Sequence, residues 1–284
     1  MVRFAVANGL ILRDPTVGVE MPEQQDFNTQ QAERVIPAPA QVRALISATA
    51  EPWAMYVRLA AATGMRPEEL TALQLRDLSN ENTTLTVRRV RVKAKDGAWT
   101  FEDVPKTRRS RRDVDLDDYT ADHLTVYLRD QHELTTRWFT EHPDRHHPGD
   151  RLPLFPGVGE FKRGQRQRQT GSDRDWLEWV DANGEPSPLN HAWFTMRYWS
   201  AIREETGLPD TVRFYDLRHF HASWLVEQIG KPGALTIVEV SKRLGHASTK
   251  MTLDRYAHAA PNRDKRNATA AIWGEPSNVR LRQA

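Results

Sequence analysis

The chain has 284 residues, with 40 Lys and Arg against 38 Asp and Glu and a formal net charge of +2. It contains no cysteine, which excludes disulfides, thiolate catalysis and cysteine-ligated zinc and fits a reducing cytoplasm. Hydrophobic residues make up 39%, enough for a sizeable core, yet no apolar run approaches the roughly 20 residues of a membrane span, and the first residues do not read as a signal-peptide apolar region.

In chain order, Phe4, Val6, Ala7, Leu10 and Leu12 suggest one helix, ended by the turn-like Arg-Asp-Pro at 13–15. Residues 21–37 are rich in Glu, Gln and Pro and read as a linker. Val42, Leu45 and Ile46 recur with helical spacing, and Met55–Ala62 make a second helix. Gly64 suits a left-handed C-cap, and Pro67 suits the first position of the next helix, with Glu68 and Glu69 in its first turn. Arg66 is thereby set at a helix–helix junction. Residues Thr84–Val92 alternate Leu85, Val87 and Val90 with basic residues, as a half-exposed strand does. Trp99–Pro105 and Arg111–Leu116 read as two further strands, giving a small antiparallel sheet with a basic face. A long helix is predicted over 117–138, an irregular insertion over 140–188, and helices at about 190–206, 214–228, 236–244, 249–257 and 262–272. The predicted fold class is mostly α with a small antiparallel β-sheet (α+β).

Charge is distributed unevenly. Between Arg88 and Arg112 stand Arg88, Arg89, Arg91, Lys93, Lys95, Lys106, Arg108, Arg109, Arg111 and Arg112 against Asp96, Glu102 and Asp103. Lys162, Arg163, Arg166 and Arg168 form a second cluster in a Gly- and Gln-rich stretch. Both read as phosphate-contacting surface, so Arg88, Arg89, Arg91, Arg108, Arg109, Arg111, Arg112, Lys162 and Arg163 are the candidate DNA contacts. The competing reading is a solvated charged face.

The C-terminal third carries the candidate chemistry. In Tyr215-Asp-Leu-Arg218 the two ends are three residues apart and share a helix face, while Leu217, Phe220, Trp224 and Leu225 fall on another and pack inward. Ile237, Val240 and Leu244 form an apolar stripe that Gly245 terminates, and His246 emerges at the turn. Tyr256 follows ten residues later. Two arginines, a histidine and a tyrosine are sufficient to attack a phosphodiester without a metal: the guanidinium groups hold the non-bridging oxygens, the imidazole donates a further hydrogen bond, and the phenol is the nucleophile. Taken singly, each has a plainer reading: a surface arginine paired with an acid, a histidine capping carbonyls, a core tyrosine. His219 and His221 are assigned no firm role.

These motifs, in this order, resemble the tyrosine recombinase (phage integrase) family over roughly Val35–Trp273. The resemblance implies that family's catalytic-domain fold over 38–273, with 140–188 a variable insertion and 274–284 a tail, and makes residues 1–20 the last helix of a truncated core-binding domain. It implies catalytic roles for Arg66, Lys106, Tyr215, Arg218, His246 and Tyr256, with Glu69 orienting Arg66. Lys106, the leaving-group acid, matches a lysine on the hairpin between the second and third strands; Lys93 and Lys95 are runners-up. The implied activity is cleavage and rejoining of double-stranded DNA through a 3′-phosphotyrosyl link by four protomers on two sites, with no metal, ATP or other cofactor and no membrane, in a bacterial or phage-encoded, nucleoid-associated setting. Tyr215 stands where the family pattern His-x-x-Arg has histidine, and a phenol with an ordinary pKa of about 10 is a poor base at neutral pH. A fragment that only binds DNA and a type IB topoisomerase-like enzyme are the alternatives.

Overall fold

The computed structural model describes residues 2–15, 17, 35–50, 53–79, 81–94, 99–103, 111–143, 147–157 and 187–260. The chain divides into two compact units, Met1–Val35 and Ile36–Ala284. The first contains helix α1 (Val2–Ala7), shorter than the apolar spacing predicts. Gly9, at φ +66°, takes a conformation that continues no helix, and Leu10 and Leu12 lie exposed beyond it. The 21–37 linker and the predicted helix at 262–272 fall largely or wholly outside the described residues.

The second unit is built around α3 (Trp53–Thr63), which follows α2 (Pro39–Ala48) and is buried along most of its length. Tyr56 lies at its centre, stacked on Phe214 with ring centroids 4.9 Å apart and edge-on to Phe155 and Phe194. Geometry of this kind adds to the area that burying each aromatic ring removes from water. After Gly64, α4 (Pro67–Leu70) is a single turn opened by Arg66 as N-cap and Pro67 at its first position.

Among the described residues four short strands follow, in two antiparallel pairs: β1 (Thr84–Val87) pairs β4 (Arg112–Asp115), and β2 (Arg89–Lys93) pairs β3 (Trp99–Asp103). The break at Arg88 does not change which parity faces inward: Leu85 and Val87 are buried, and so are Arg89 and Arg91. The arginines of β2 therefore point into the protein where the sequence placed them on a basic outer face.

Helix α5 (Asp118–Glu141) starts at Asp117, whose carboxylate accepts from the Thr120 N–H at 2.9 Å. Within the predicted 140–188 insertion, Pro156 bridges Pro188, and the Gly157 N–H donates to the Ser187 carbonyl. The residues between lie outside the description. The helix predicted at 190–206 is interrupted: α6 (His191–Phe194) and α7 (Ser200–Glu205) flank a π-helical turn at Thr195–Trp199.

The last three α-helices among the described residues carry Arg218 and Tyr256 and lead into His246. Helix α8 (Asp216–Gln228) packs against α3, while α9 (Ile237–Leu244) and α10 (Thr249–Tyr256) close over its far side. Ala222, Val226, Val240, Leu244 and Tyr256 form a second apolar cluster there. Two details differ from the helical-wheel expectation. Trp224 is exposed, and on α10 it is Thr252 and Tyr256, one turn apart, that are buried, while Met251 and Leu253 face solvent. No helix among the described residues is long and apolar enough to cross a membrane.

Candidate active site

Arg218 occupies the junction of α3, α8 and α9. Its Nη1 donates to the Gly64 carbonyl and its Nη2 to the Leu244 carbonyl, each at 2.6 Å. Those carbonyls lie at the C-terminal ends of α3 and α9, where unsatisfied backbone oxygens and the helix dipoles favour a cation. Both helices end in left-handed glycines. Gly64 has φ +62° and a Cβ there would meet His221 at 2.7 Å; Gly245 has φ +66° and a Cβ there would meet Arg112 at 2.8 Å. The close approach of three chain segments to one guanidinium depends on both.

Arg66 stands beside this junction, about a third exposed, with Nη1 donating to Glu69 Oε1 at 3.1 Å and its backbone N–H to Oε2 at 2.8 Å. Glu69 is itself buried, and Arg112 grips it with two bonds of 2.9 and 2.8 Å. Burial works to raise the Glu69 pKa, but the hydrogen bonds and charge of Arg112, then the Arg66 N–H and charge, outweigh it and hold it below the ordinary value. The Nε of Arg112 also donates to the Arg243 carbonyl at 2.7 Å, so β4 is tied to α9 and α4 together.

His246 leaves α9 just past Gly245, its Nδ1 bonded to Thr252 Oγ1 at 2.7 Å and its ring parallel to Tyr256 with centroids 6.3 Å apart. Its pKa falls to about 4 because it is buried and because Arg218, Arg66, Arg255 and Arg112 surround it with positive charge. Burial also lowers Arg218, aided by Arg66. Tyr256 is pushed up, first by burial and in small part by Tyr215, against the opposing pull of Arg218 and Arg255. These mutual influences bring Arg66, Glu69, Tyr215, Arg218, His246 and Tyr256 into one neighbourhood. The arrangement is a cluster of positive charge in which the buried Glu69 carboxylate is already engaged, an environment suited to an anion.

Lys106, Arg108, Arg109, Lys162 and Arg163 lie outside the described residues, as does Lys95; Lys93 is exposed on β2. Of the other predicted DNA contacts, Arg111 is exposed and Arg88 is partly so, with its Nε 3.2 Å from Asp77. Three are corrected. Arg89 is buried and forks onto Asp77 at 2.6 and 3.2 Å. Arg91 is buried, donates to the carbonyls of Pro188 and Leu189, and lies 4.8 Å from the Trp99 ring centre. Arg112 holds Glu69. A buried charge persists only when paired, and these three have pairing built into the fold.

Sequence reasoning passed over His219, whose Nδ1 lies 2.8 Å from Tyr256 Oη. It also missed Arg255 and Thr252, on the helix of Tyr256. Their only sequence signal is adjacency to motif residues. His221 is structural: Arg243 Nε donates to its Nε2 at 3.0 Å, so its Nδ1 carries the proton and donates to the Ala61 carbonyl. That ring has no place for a second proton, and burial, with the charge of Arg243, lowers its pKa to about 3. A histidine depressed when folded contributes stability that is complete above its unfolded pKa of about 6.5 and is lost on acidification. His246, at about 4, and His191, at about 4 by burial, act with the same sign. The expected outcome is a stability that falls steadily from pH 6.5 toward 4, with His221 alone costing about 2 kcal/mol at pH 5. Thermal melts across that range measure it, and a flat profile between pH 6.5 and 5 would contradict the buried neutral histidines.

The sequence model of the phage integrase family matches residues 28–263. A Mycobacterium tuberculosis protein named as a prophage phiRv2 integrase is 27% identical over 226 residues, 79% of this chain and 47% of its own length. The integrase of Staphylococcus phage L54a is 24% identical over 213 residues, 74% of this chain and 48% of its own. The chain thus spans about half the length of these curated relatives. Among solved structures, the Tn1549 transposon integrase (residues 82–397) in complex with a circular intermediate DNA superposes with a TM-score of 0.57 at 15% identity, covering 95% of this chain and 74% of that one, a likeness of fold.

Proposed function

The chain belongs to the phage integrase family, and from that premise we propose that it cuts and rejoins DNA strands in site-specific recombination, with Tyr256 as nucleophile. The observation that carries the proposal is the convergence of Arg66, Arg218 and His246 on the neighbourhood of the Tyr256 hydroxyl. Arg66 and Arg218 hold the scissile phosphate and stabilise the charge that builds on its oxygens in the transition state; His246 donates a further hydrogen bond. The neutral imidazole already has one N–H to donate, and the arriving anion, by offsetting the surrounding cations, raises the His246 pKa and favours the doubly protonated ring.

Tyr256 Oη attacks phosphorus, the bond to the 5′ oxygen breaks, and Lys106 protonates the departing oxygen. The 3′-phosphotyrosyl link conserves the energy of the broken bond, so a 5′-hydroxyl from another strand reverses the step. Tyr256 is only 1% exposed, so DNA engagement has to open the α9–α10 turn far enough to admit the phosphate. By the same resemblance, four protomers working on two duplexes on the bacterial nucleoid complete strand exchange.

Covalent capture tests this reading. The protein is mixed with a labelled pool of nicked duplexes randomised around the nick and denatured in detergent, and the labelled peptide is identified by mass spectrometry. The expected result is DNA attached to the peptide containing Tyr256. Retained DNA binding with no adduct would support instead a fragment that only binds, the reading that tyrosine at position 215 favours.

A further inference from the structure

We propose that His219 is the proton acceptor for Tyr256, doing the work of the histidine that is absent at position 215. The inference rests on Tyr256 being the nucleophile. His219 Nδ1 and Tyr256 Oη are 2.8 Å apart, and both side chains are buried, at 3% and 1% exposure. A proton passed between them is not lost to bulk water.

The helix explains the relocation. Tyr215 is the N-cap of α8 and His219 lies four residues on, so the two share a face, with ring centroids 5.4 Å apart. The imidazole is displaced along the same face by one turn. A phenol at position 215 is a poor base. His246 presents Tyr256 with a parallel ring, and its Nδ1 is occupied by Thr252. His219 is therefore the imidazole whose nitrogen meets the hydroxyl.

The step balances. With His219 in its Nε2–H tautomer, the Tyr256 hydroxyl donates to Nδ1. As Oη bonds to phosphorus the O–H bond breaks, its proton passes to Nδ1, and the P–O5′ bond releases an oxygen that takes a proton from Lys106. Religation returns each proton. The charged and titratable groups facing the pair are Arg218 and Tyr215 from α8, Arg255 from α10 and His246 from the α9–α10 turn, with Arg66 acting on His246 and Arg218. The cations favour the phenolate and oppose the imidazolium, and the incoming phosphate offsets the second effect.

The test uses the full chain and the nicked duplex recovered by covalent capture. Single-turnover adduct formation is followed from about pH 5.5 to 9, the range in which an imidazole changes charge. His219→Gln keeps a hydrogen-bonding group beside Tyr256 but cannot accept its proton. It is expected to slow adduct formation by about 10²–10⁴-fold and to remove the loss of rate at low pH. Adding Tyr215→His to His219→Gln is expected to recover about ten-fold or more by restoring an imidazole to the same face. A His219→Gln rate within about three-fold of wild type, or a slow rate with the wild-type pH profile, overturns the proposal. Nitrogen NMR of the unaltered protein checks it without mutation: an unprotonated Nδ1 on His219 supports it, and an Nδ1–H tautomer overturns it. A wild-type chain that forms no adduct removes the recombination reading itself, a failure distinct from an adduct insensitive to His219.

Discussion

Tyr256→Phe is expected to abolish covalent capture of DNA while the protein stays folded. The substitution removes one oxygen and leaves the ring in the second apolar cluster, parallel to His246. The hydroxyl is hydrogen-bonded to His219 and to the Arg255 side chain, each worth about 1 kcal/mol net, and losing either corresponds to a fall of roughly 2–4 °C in melting temperature for a domain of this size. Covalent capture should fall below detection because no other hydroxyl occupies this position. DNA binding should persist, since the arginines remain. Gel analysis in detergent beside a melting curve decides the matter: an adduct that survives in the folded variant would relocate the nucleophile.

The second large effect is on stability. Glu69→Ala removes the carboxylate that Arg112 grips with two bonds and that also accepts from the Arg66 side chain and backbone N–H. The Arg112 side chain is 7% exposed. Breaking a buried ion pair from one side leaves an uncompensated charge, so the expected cost is about 3–5 kcal/mol. Replacing both partners, with Glu69→Leu and Arg112→Leu together, should recover most of that cost, because an apolar pair of similar volume carries no desolvation penalty. Activity should not recover, because Arg66 has lost its orienting partner. Chemical denaturation of the two single variants and the double supplies the coupling energy; near-additive losses would show that the network is not a unit.

Much of this site is legible in the sequence because its determinants are local. Pro67 and Glu69 mark a helix start and Gly64 and Gly245 mark helix ends, so Arg66 and His246 are placed by backbone rules acting within a few residues. Arg218 is legible through its spacing from Tyr215 on one helix face. The errors arise where the deciding partner is distant in sequence. Arg89 is buried because Asp77 waits inside, and Arg91 because the carbonyls of Pro188 and Leu189 do, nearly a hundred residues away. A dense run of positive charge looks like surface whenever its counter-charges are not adjacent. His219 was overlooked for the opposite reason: it touches a motif residue on each side, Tyr215 through the helix turn and Tyr256 through space, and only the second contact reveals its use.

Arg218 joins the ends of α3 and α9, and each helix belongs to a different apolar cluster. The guanidinium that would hold a phosphate is thus also the rivet between the two halves of the hydrophobic interior. Selection for folding and selection for chemistry cannot be separated at that position. A chain of this fold that did not cut DNA would still use Arg218 at this junction, whereas the Tyr256 hydroxyl could be lost at little structural cost. The arginine is therefore a poor witness to activity, and the tyrosine oxygen a good one.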